Sequence, residues 1–176
     1  MSFSGAKDGK HYWLTPPKLY EDLTKEFHFD FDPCPYPKPE DFNGLVAEWG
    51  QSNYVNPPFG AIVYEDGKKR GATAWARKCI TEAQKGKSVV MVYPIDKWVL
   101  MLLSAGAEVR NLGDVKWQAI EDRNAHLGTG RHIACFILKP SNNACSGLVV
   151  WCAQCEQILE SSWNYCPCCG VSTTNR

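Results

Sequence analysis

Ser88-Val89-Val90-Met91-Val92-Tyr93 is a continuous apolar run without alternation. A strand with one face in water alternates apolar and polar residues, so this one must be covered on both faces. Ahead of it, Trp75, Ala76, Cys79, Ile80 and Ala83 recur at helical spacing, and Gly86 closes the helix. A buried strand fed by an amphipathic helix predicts an α/β domain, and the rest of the chain repeats the pattern. Thr15-Pro16-Pro17 opens a helix, with Thr15 as a side-chain cap and Leu19, Tyr20, Leu23 and Phe27 on one face. Phe29-Asp30-Phe31-Asp32 alternates as a strand does, and Asn53-Tyr54-Val55-Asn56 reads as another. Asp96 is expected to cap a helix ending at Gly106, with strands at Glu108-Val109-Arg110 and from His132 to Leu138. These elements predict a mostly parallel sheet with its ligand site at the C-terminal ends of the strands.

Two loops leave such ends. Pro33-Cys34-Pro35-Tyr36-Pro37-Lys38-Pro39 is too rich in proline to be helix or strand interior. Asn56-Pro57-Pro58-Phe59 follows the second strand and suits the chemistry of an aromatic amine. Such an amine is a poor nucleophile, because its lone pair is delocalised into the ring. Acceptors for both of its N–H bonds push the nitrogen toward a tetrahedral shape. The side-chain oxygen of Asn56 and the carbonyl of Pro57 can supply them from a loop stiffened by proline. Phe59 is expected to offer a stacking face, worth roughly 1–3 kcal/mol for a base. A base inside a duplex must be flipped out to reach it.

Along these residues the chain resembles the phage-type DNA N-6-adenine methyltransferases. The resemblance runs from about Tyr12 to about Lys139 and rests on Trp13-Leu14-Thr15-Pro16-Pro17, Phe31-Asp32-Pro33-Cys34, Gly44-Leu45 with Trp49, and above all Tyr54-Val55-Asn56-Pro57-Pro58-Phe59-Gly60. It implies a Rossmann-like fold that uses S-adenosyl-L-methionine and a phage or prophage origin. Trp13, Thr15, Pro16, Asp32, Pro33, Cys34 and Asn56 would line the cofactor site, and Asn56 to Phe59 would hold adenine. Two departures stand out. Pro33-Cys34-Pro35 replaces the usual Gly-x-Gly turn, and Asn43 precedes Gly44-Leu45 where an acid is expected. Cytosine-C5 methylation is disfavoured, since that chemistry needs a cysteine nucleophile in the loop that here reads Asn-Pro-Pro-Phe. The same loop also suits RNA adenine, the cytosine amino group or a protein glutamine. An inactive methyltransferase-like scaffold is the reading from a different class.

The chain has nine cysteines in 176 residues. Cys34, Cys79, Cys135 and Cys145 are scattered, whereas Cys152-x2-Cys155, ten residues, then Cys166-Pro-Cys168-Cys169-Gly170 crowd the end. Paired knuckles of this kind read as a structural zinc ribbon, with Cys152, Cys155, Cys166 and Cys169 as the ligand set and Cys168 as the extra thiol. Gly170 is expected to allow the left-handed turn that aims backbone N–H groups at sulfur. So short a module needs the metal to hold it together. The expected organisation is a tail at 1–11, a methyltransferase domain at 12–140, a linker at 141–147 and a four-cysteine zinc ribbon at 148–176.

Charge constrains the partners. The formal net charge is zero, so contact with DNA has to come from a local site. Lys68, Lys69 and Arg70 follow the Asn-Pro-Pro-Phe loop, and Arg123, His126, Arg131 and His132 lie in a second glycine-containing stretch. These are the candidate phosphate contacts. From Cys152 to Gly170 there is no Lys or Arg and there are two acids, Glu156 and Glu160. Four thiolates on zinc add about two negative charges. The ribbon is therefore expected to meet a protein partner or a second copy of the chain, through Trp151, Trp163 or Tyr165, rather than DNA. The methyltransferase stretch leaves little room for a target-recognition domain, so weak sequence specificity is expected, or specificity from these basic loops or from a second subunit. Nothing resembles a signal peptide or a membrane span, which predicts a cytoplasmic protein, in the host cell if phage encoded.

Overall fold

The computed structural model describes residues 13–64, 66–119, 126–128 and 131–140, and in the tail residues 150–152, 154, 158, 159, 165, 166 and 168–172. The expected tail at 1–11 and linker at 141–147 lie outside the described residues. The chain divides into two compact units, Met1–Ser141 and Asn142–Arg176.

The first unit opens with β1 (Trp13–Leu14) and α1 (Pro17–Phe27). Pro16, not Thr15, holds the N-cap position, and no side chain caps the helix. Pro17 has no N–H, so one of the donors a cap would serve is missing, and Thr15 turns instead toward Tyr54 and Asn56. The helix ends at His28, whose N–H reaches the Thr24 carbonyl at 2.8 Å. β2 (Ser52–Val55) follows. The strand expected at Phe29–Asp32 reduces to one parallel bridge between Phe31 and Asn53. Backbone bonds still join the two segments, from the Asp30 N–H to the Ser52 carbonyl at 2.9 Å and from the Tyr54 N–H to the Phe31 carbonyl at 3.0 Å, and the Asp30 carboxylate adds the N–H groups of Gln51 and Ser52 at 3.1 and 3.0 Å.

β3 (Ile62–Val63) and β4 (Lys69–Arg70) form a hairpin where the sequence reads as a polar loop. Strands of two residues are too short to show alternation. α2 (Ala72–Gln84) buries Trp75, Ala76, Cys79, Ile80 and Ala83 and leads to β5 (Ser88–Pro94). α3 (Val99–Ser104) starts from Trp98 rather than Asp96. The Asp96 carboxylate accepts from the Lys97 N–H at 2.7 Å and its carbonyl from the Val99 N–H at 2.9 Å, closing a turn ahead of the helix. Then come β6 (Glu108–Gly113), β7 (Lys116–Ala119), β8 (His126–Gly128) and β9 (Ile133–Leu138).

The main sheet has the order β2-β5-β9-β6, and β1-β7-β8 form a smaller one. β2 and β5 are parallel, but β9 is antiparallel to both of its neighbours. The sheet is therefore mixed and not mostly parallel, as the sequence led us to expect. Among the described residues no helix separates β6 from β9. The chain runs out through β7 and β8 and returns, and a return without a crossover helix yields an antiparallel pair. Val89 to Pro94 are all buried. Val90 and Val92 pack with Leu23 of α1, Tyr54 and Trp117. On the opposite face Met91 meets Cys79 of α2, sulfur to sulfur at 3.9 Å. Helices on both faces account for the missing alternation in β5. No helix among the described residues is long and apolar enough to cross a membrane.

In the second unit β10 (Val150–Trp151) pairs antiparallel with β11 (Ile158–Leu159), and Tyr165 bridges Ser172. Cys152, Leu159 and Cys166 make a small core against which Cys169 packs.

A buried charge fixes the end of α2. Glu82 has no exposed surface. Lys78 and Lys85 reach its Oε1 at 2.9 and 2.8 Å, and Lys87 reaches Oε2 at 2.8 Å. Burial works to raise its pKa, but hydrogen bonds from the three ammonium groups hold it down to about 2. Lys87 also donates to the Trp49 carbonyl at 2.6 Å, tying α2 to the segment ahead of β2. Glu82→Ala leaves Lys87 buried without its counter-charge, and a broken buried pair costs about 3 kcal/mol. Urea unfolding should show a clearly lower midpoint for this variant, and an unchanged one would show that the network adds nothing.

Candidate functional site

β2 delivers the Asn-Pro-Pro-Phe loop to the edge of a cleft. Its parallel register with β5 sets Val55 opposite Met91. The Tyr93 hydroxyl, from the end of β5, then donates to the Pro58 carbonyl at 3.1 Å. Pro57 and Pro58 are buried. Two neighbouring elements therefore hold the loop by its backbone, and the prolines remove most of its remaining freedom.

The amide of Asn56 is oriented by chemistry. Its Nδ2 donates to the Trp13 carbonyl at 2.8 Å and lies 3.4 Å from Thr15 Oγ1. A carbonyl accepts only, so the nitrogen must face Trp13 and Oδ1 must face away. That Oδ1 is buried and has no hydrogen-bond partner among the described residues. The Pro57 carbonyl accepts no hydrogen bond from the described residues. Thr15 Oγ1 is held in turn by the Tyr54 hydroxyl. Burial raises the pKa of that phenol far above its ordinary value, so it stays protonated. The Trp13 to Thr15 segment thus acts as a brace for Asn56.

Trp13, Thr15, Asp32, Cys34, Asn56, Pro57 and Pro58 line one cleft of about 360 Å³. Of the residues expected at a cofactor site, Pro16 and Pro33 do not line it. Pro33 instead faces a second cleft of about 120 Å³, and the two clefts share Cys34 and Pro58. Gly44 backs this loop, since a Cβ there would lie 1.9 Å from the Pro33 carbonyl oxygen. Phe59, expected to offer a stacking face, is half-buried and does not line the Asn56 cleft. Its ring is wedged edge-on against Tyr93 and Trp117, with centroids at 5.1 and 5.2 Å. Two core aromatics hold it there, with part of its surface still open. Tyr36 and Tyr20 line the cleft and are about two-fifths exposed, so they supply the aromatic surface that Phe59 does not. Tyr36 stood in plain view in the proline-rich loop. Gln118, which also lines the cleft, comes from β7 and carries no signal in the sequence.

Asp32 and Cys34 share one wall. The Asp32 carboxylate accepts the Cys34 N–H at 2.7 Å and pairs with no cation among the described residues. Burial raises its pKa from 3.8 to about 6, against the lowering effect of that bond. Burial also pushes the Cys34 thiol well above its ordinary value, and the Asp32 charge adds to the effect. A thiol kept protonated is a poor nucleophile, which fits a packing role for Cys34.

The basic candidates separate. Lys68 and Lys69 are exposed beside or on β4. Arg70 is engaged: it forms a two-pronged ion pair with Asp66, one arm at 2.8 Å, and lies over the Tyr64 ring. Arg131 is exposed and near enough to Tyr93 to lower that group's pKa against the dominant effect of burial, and His132 is also exposed. Arg123 lies outside the described residues, as do the side chain of His126, Cys155, Trp163 and the side chain of Trp151. In the second unit the sulfurs of Cys152, Cys166 and Cys169 lie within 4.8 Å of one another, and Cys168 is exposed and apart from them. Gly170 takes a positive φ of 73°, but its N–H goes to the Cys166 carbonyl at 2.8 Å rather than to sulfur. Tyr165 is 65% exposed, open to contact.

A scan against protein-family models finds no match, and searches of curated proteins and of solved structures find no similar chain.

Asp32 gives the site a pH signature. In the unfolded chain it ionises near 3.8 and in the folded chain near 6. Its charge therefore opposes folding fully above pH 6 and not at all below about pH 4, by roughly 3 kcal/mol at most. Asp32→Asn should stabilise the protein at pH 7, and the gap should close as the pH falls to 4. Denaturation curves at a series of pH values will show this, and a gap that ignores pH would rule it out.

Proposed function

We propose that this chain binds S-adenosyl-L-methionine in the Asn56 cleft and methylates the exocyclic amino group of adenine in DNA. One observation carries the reading. The buried Oδ1 of Asn56 has no partner among the described residues, and a buried acceptor left unsatisfied costs about 1–3 kcal/mol unless a ligand completes it. An N–H of an aromatic amine is the complementary donor. The amide cannot rotate to hide this oxygen without giving up its bond to Trp13. The Pro57 carbonyl on the same stiff loop is the second acceptor. Together the two draw electron density onto the amino nitrogen, as methylation there requires.

The cleft suits the cofactor on three counts. Its size of about 360 Å³ falls within the range for small-molecule sites. Asp32 presents a carboxylate short of a counter-charge, which favours a cationic ligand. Tyr36 and Trp13 offer flat surface for a nucleoside. When bound, the cofactor supplies a methyl group activated by sulfonium charge. Cys34 and the paired prolines wall the cleft on the side of the loop and exclude water there.

We also propose that Cys152, Cys155, Cys166 and Cys169 hold a structural zinc ion. Bonds of about 2.3 Å in tetrahedral array put thiolates roughly 3.8 Å apart, and Cys152 and Cys169 stand at 3.5 Å. The exposed Tyr165 marks the ribbon as the surface for a protein partner or a second copy of the chain.

Incubation with labelled cofactor and DNA, RNA or protein in parallel, followed by nucleoside and amino-acid analysis, identifies the acceptor, and N-6-methyladenine from DNA is the expected product. Asn56→Ala should lower the rate at least a hundredfold while calorimetry still detects the cofactor. Activity near that of the unaltered chain would sink the role assigned to Asn56. A strong chelator should release about one zinc per chain and unfold the C-terminal unit, seen as a loss of protease resistance after the 141–147 segment. A preparation that holds no metal yet stays resistant would exclude the zinc ribbon.

A further inference from the structure

β7 adds one polar side chain to the Asn56 cleft. Gln118 stands directly opposite Leu14 in the antiparallel pairing of β1 with β7, and both residues line the cleft. Directly opposed residues share a face, with Cβ atoms about 5 Å apart. The residue before Leu14 is Trp13, whose carbonyl holds the Asn56 amide at 2.8 Å. One short strand thus carries the support of Asn56 on its backbone and has Gln118 at its side. Gln118 is half-buried, and its side-chain amide makes no hydrogen bond with the described residues. Ordering a glutamine on a cleft wall without a partner costs rotamer freedom and part of its hydration.

We infer that Gln118 reads the target base, its side-chain N–H donating to a ring nitrogen that flanks the amino group. The inference rests on the reading of this cleft as the site of an aromatic amine, and it adds the residue that recognises the ring. With both amino N–H bonds taken by Asn56 and Pro57, the polar atoms left on that edge of adenine are N1 on one side and N7 on the other. Both only accept, so their reader must be a donor. The Asn56 amide nitrogen is committed to Trp13 and Thr15, and the hydroxyls of Thr15 and Tyr54 to each other. Above its pKa of about 6, Asp32 has no proton to give. The phenols of Tyr20 and Tyr36 are more exposed than Gln118 and so remain better served by water. A glutamine amide presents a donor whichever way it turns. Amide side chains pair with the N6 and N7 edge of adenine for the same reason. A donor to N7 would also set adenine apart from cytosine, which has a carbon in the corresponding place.

Base analogues test this directly. Fluorescence anisotropy of the full chain with labelled single-stranded DNA, thymine throughout but for one adenine, reads affinity. Matched oligomers carry 7-deazaadenine or 1-deazaadenine there, in which a C–H replaces N7 or N1. Labelled-methyl transfer is measured on the same strands. The unaltered chain should bind one of the analogues about fivefold more weakly than adenine, the worth of one hydrogen bond. Gln118→Ala should lose a similar factor on adenine and no longer tell adenine from that analogue. Gln118→Glu keeps the shape and removes the donor, so it should fall at least as far, and it carries the comparison if the alanine variant melts early. Affinity blind to both analogues, or discrimination that survives in a folded variant, overturns the inference. If the unaltered chain methylates adenine in either of those cases, the methylation reading stands without Gln118. Discrimination that Gln118 controls, with no methylated nucleoside formed, keeps the base reader and removes the reaction. A chain that binds none of the strands overturns both.

Discussion

β5 is buried on both faces, and most of the first unit follows from that constraint. A strand with no face left for water needs a layer on each side, and α1 and α2 supply them. Val90 and Val92 face Leu23, while Met91 faces Cys79. Backbone groups in such a strand have no water to turn to, so both edges must be paired. β2 takes one edge and β9 the other. The parallel register of β2 against β5 then decides where the Asn-Pro-Pro-Phe loop begins, and Tyr93 at the end of the same strand captures the Pro58 carbonyl.

The loop needs a second support, because a strand end alone does not orient a side chain. That support comes from the opposite end of the unit's sequence. Trp13 offers a carbonyl and Thr15 a hydroxyl, and the Asn56 amide nitrogen turns to them. The Tyr54 hydroxyl, buried beneath, locks Thr15 in place. The outcome is an amide oxygen buried and unpartnered beside a cleft. In a core such an atom is a defect. Next to a cleft it is a position for a donor that arrives with the ligand. Asp32 repeats the logic in charge: its carboxylate is held where solvent stabilises it poorly and no cation of the described residues answers it.

The C-terminal unit solves a different problem with less material. Its described residues form two short strands and a core of Cys152, Leu159 and Cys166, and so short a unit has little apolar surface to bury. Two of the three clustered thiols, Cys152 and Cys166, lie in that core and Cys169 packs against it, which under the proposed reading gives the unit's cohesion to metal–sulfur bonds.

The sequence by itself determined what depends on neighbours along the chain. The α2 stripe, the doubly buried strand, the stiff proline loop and the cysteine spacing are all local patterns, readable because periodicity and proline geometry act over a few residues. Tertiary structure alone decided what depends on distant partners. Whether Thr15 caps its own helix or braces Asn56 turns on a tyrosine 39 residues away. Whether Phe59 meets a ligand or the core turns on Trp117, from a strand that the sequence did not mark. The direction of β9 was equally hidden, since an apolar run reads the same both ways and only its hydrogen bonds to β5 and β6 set it.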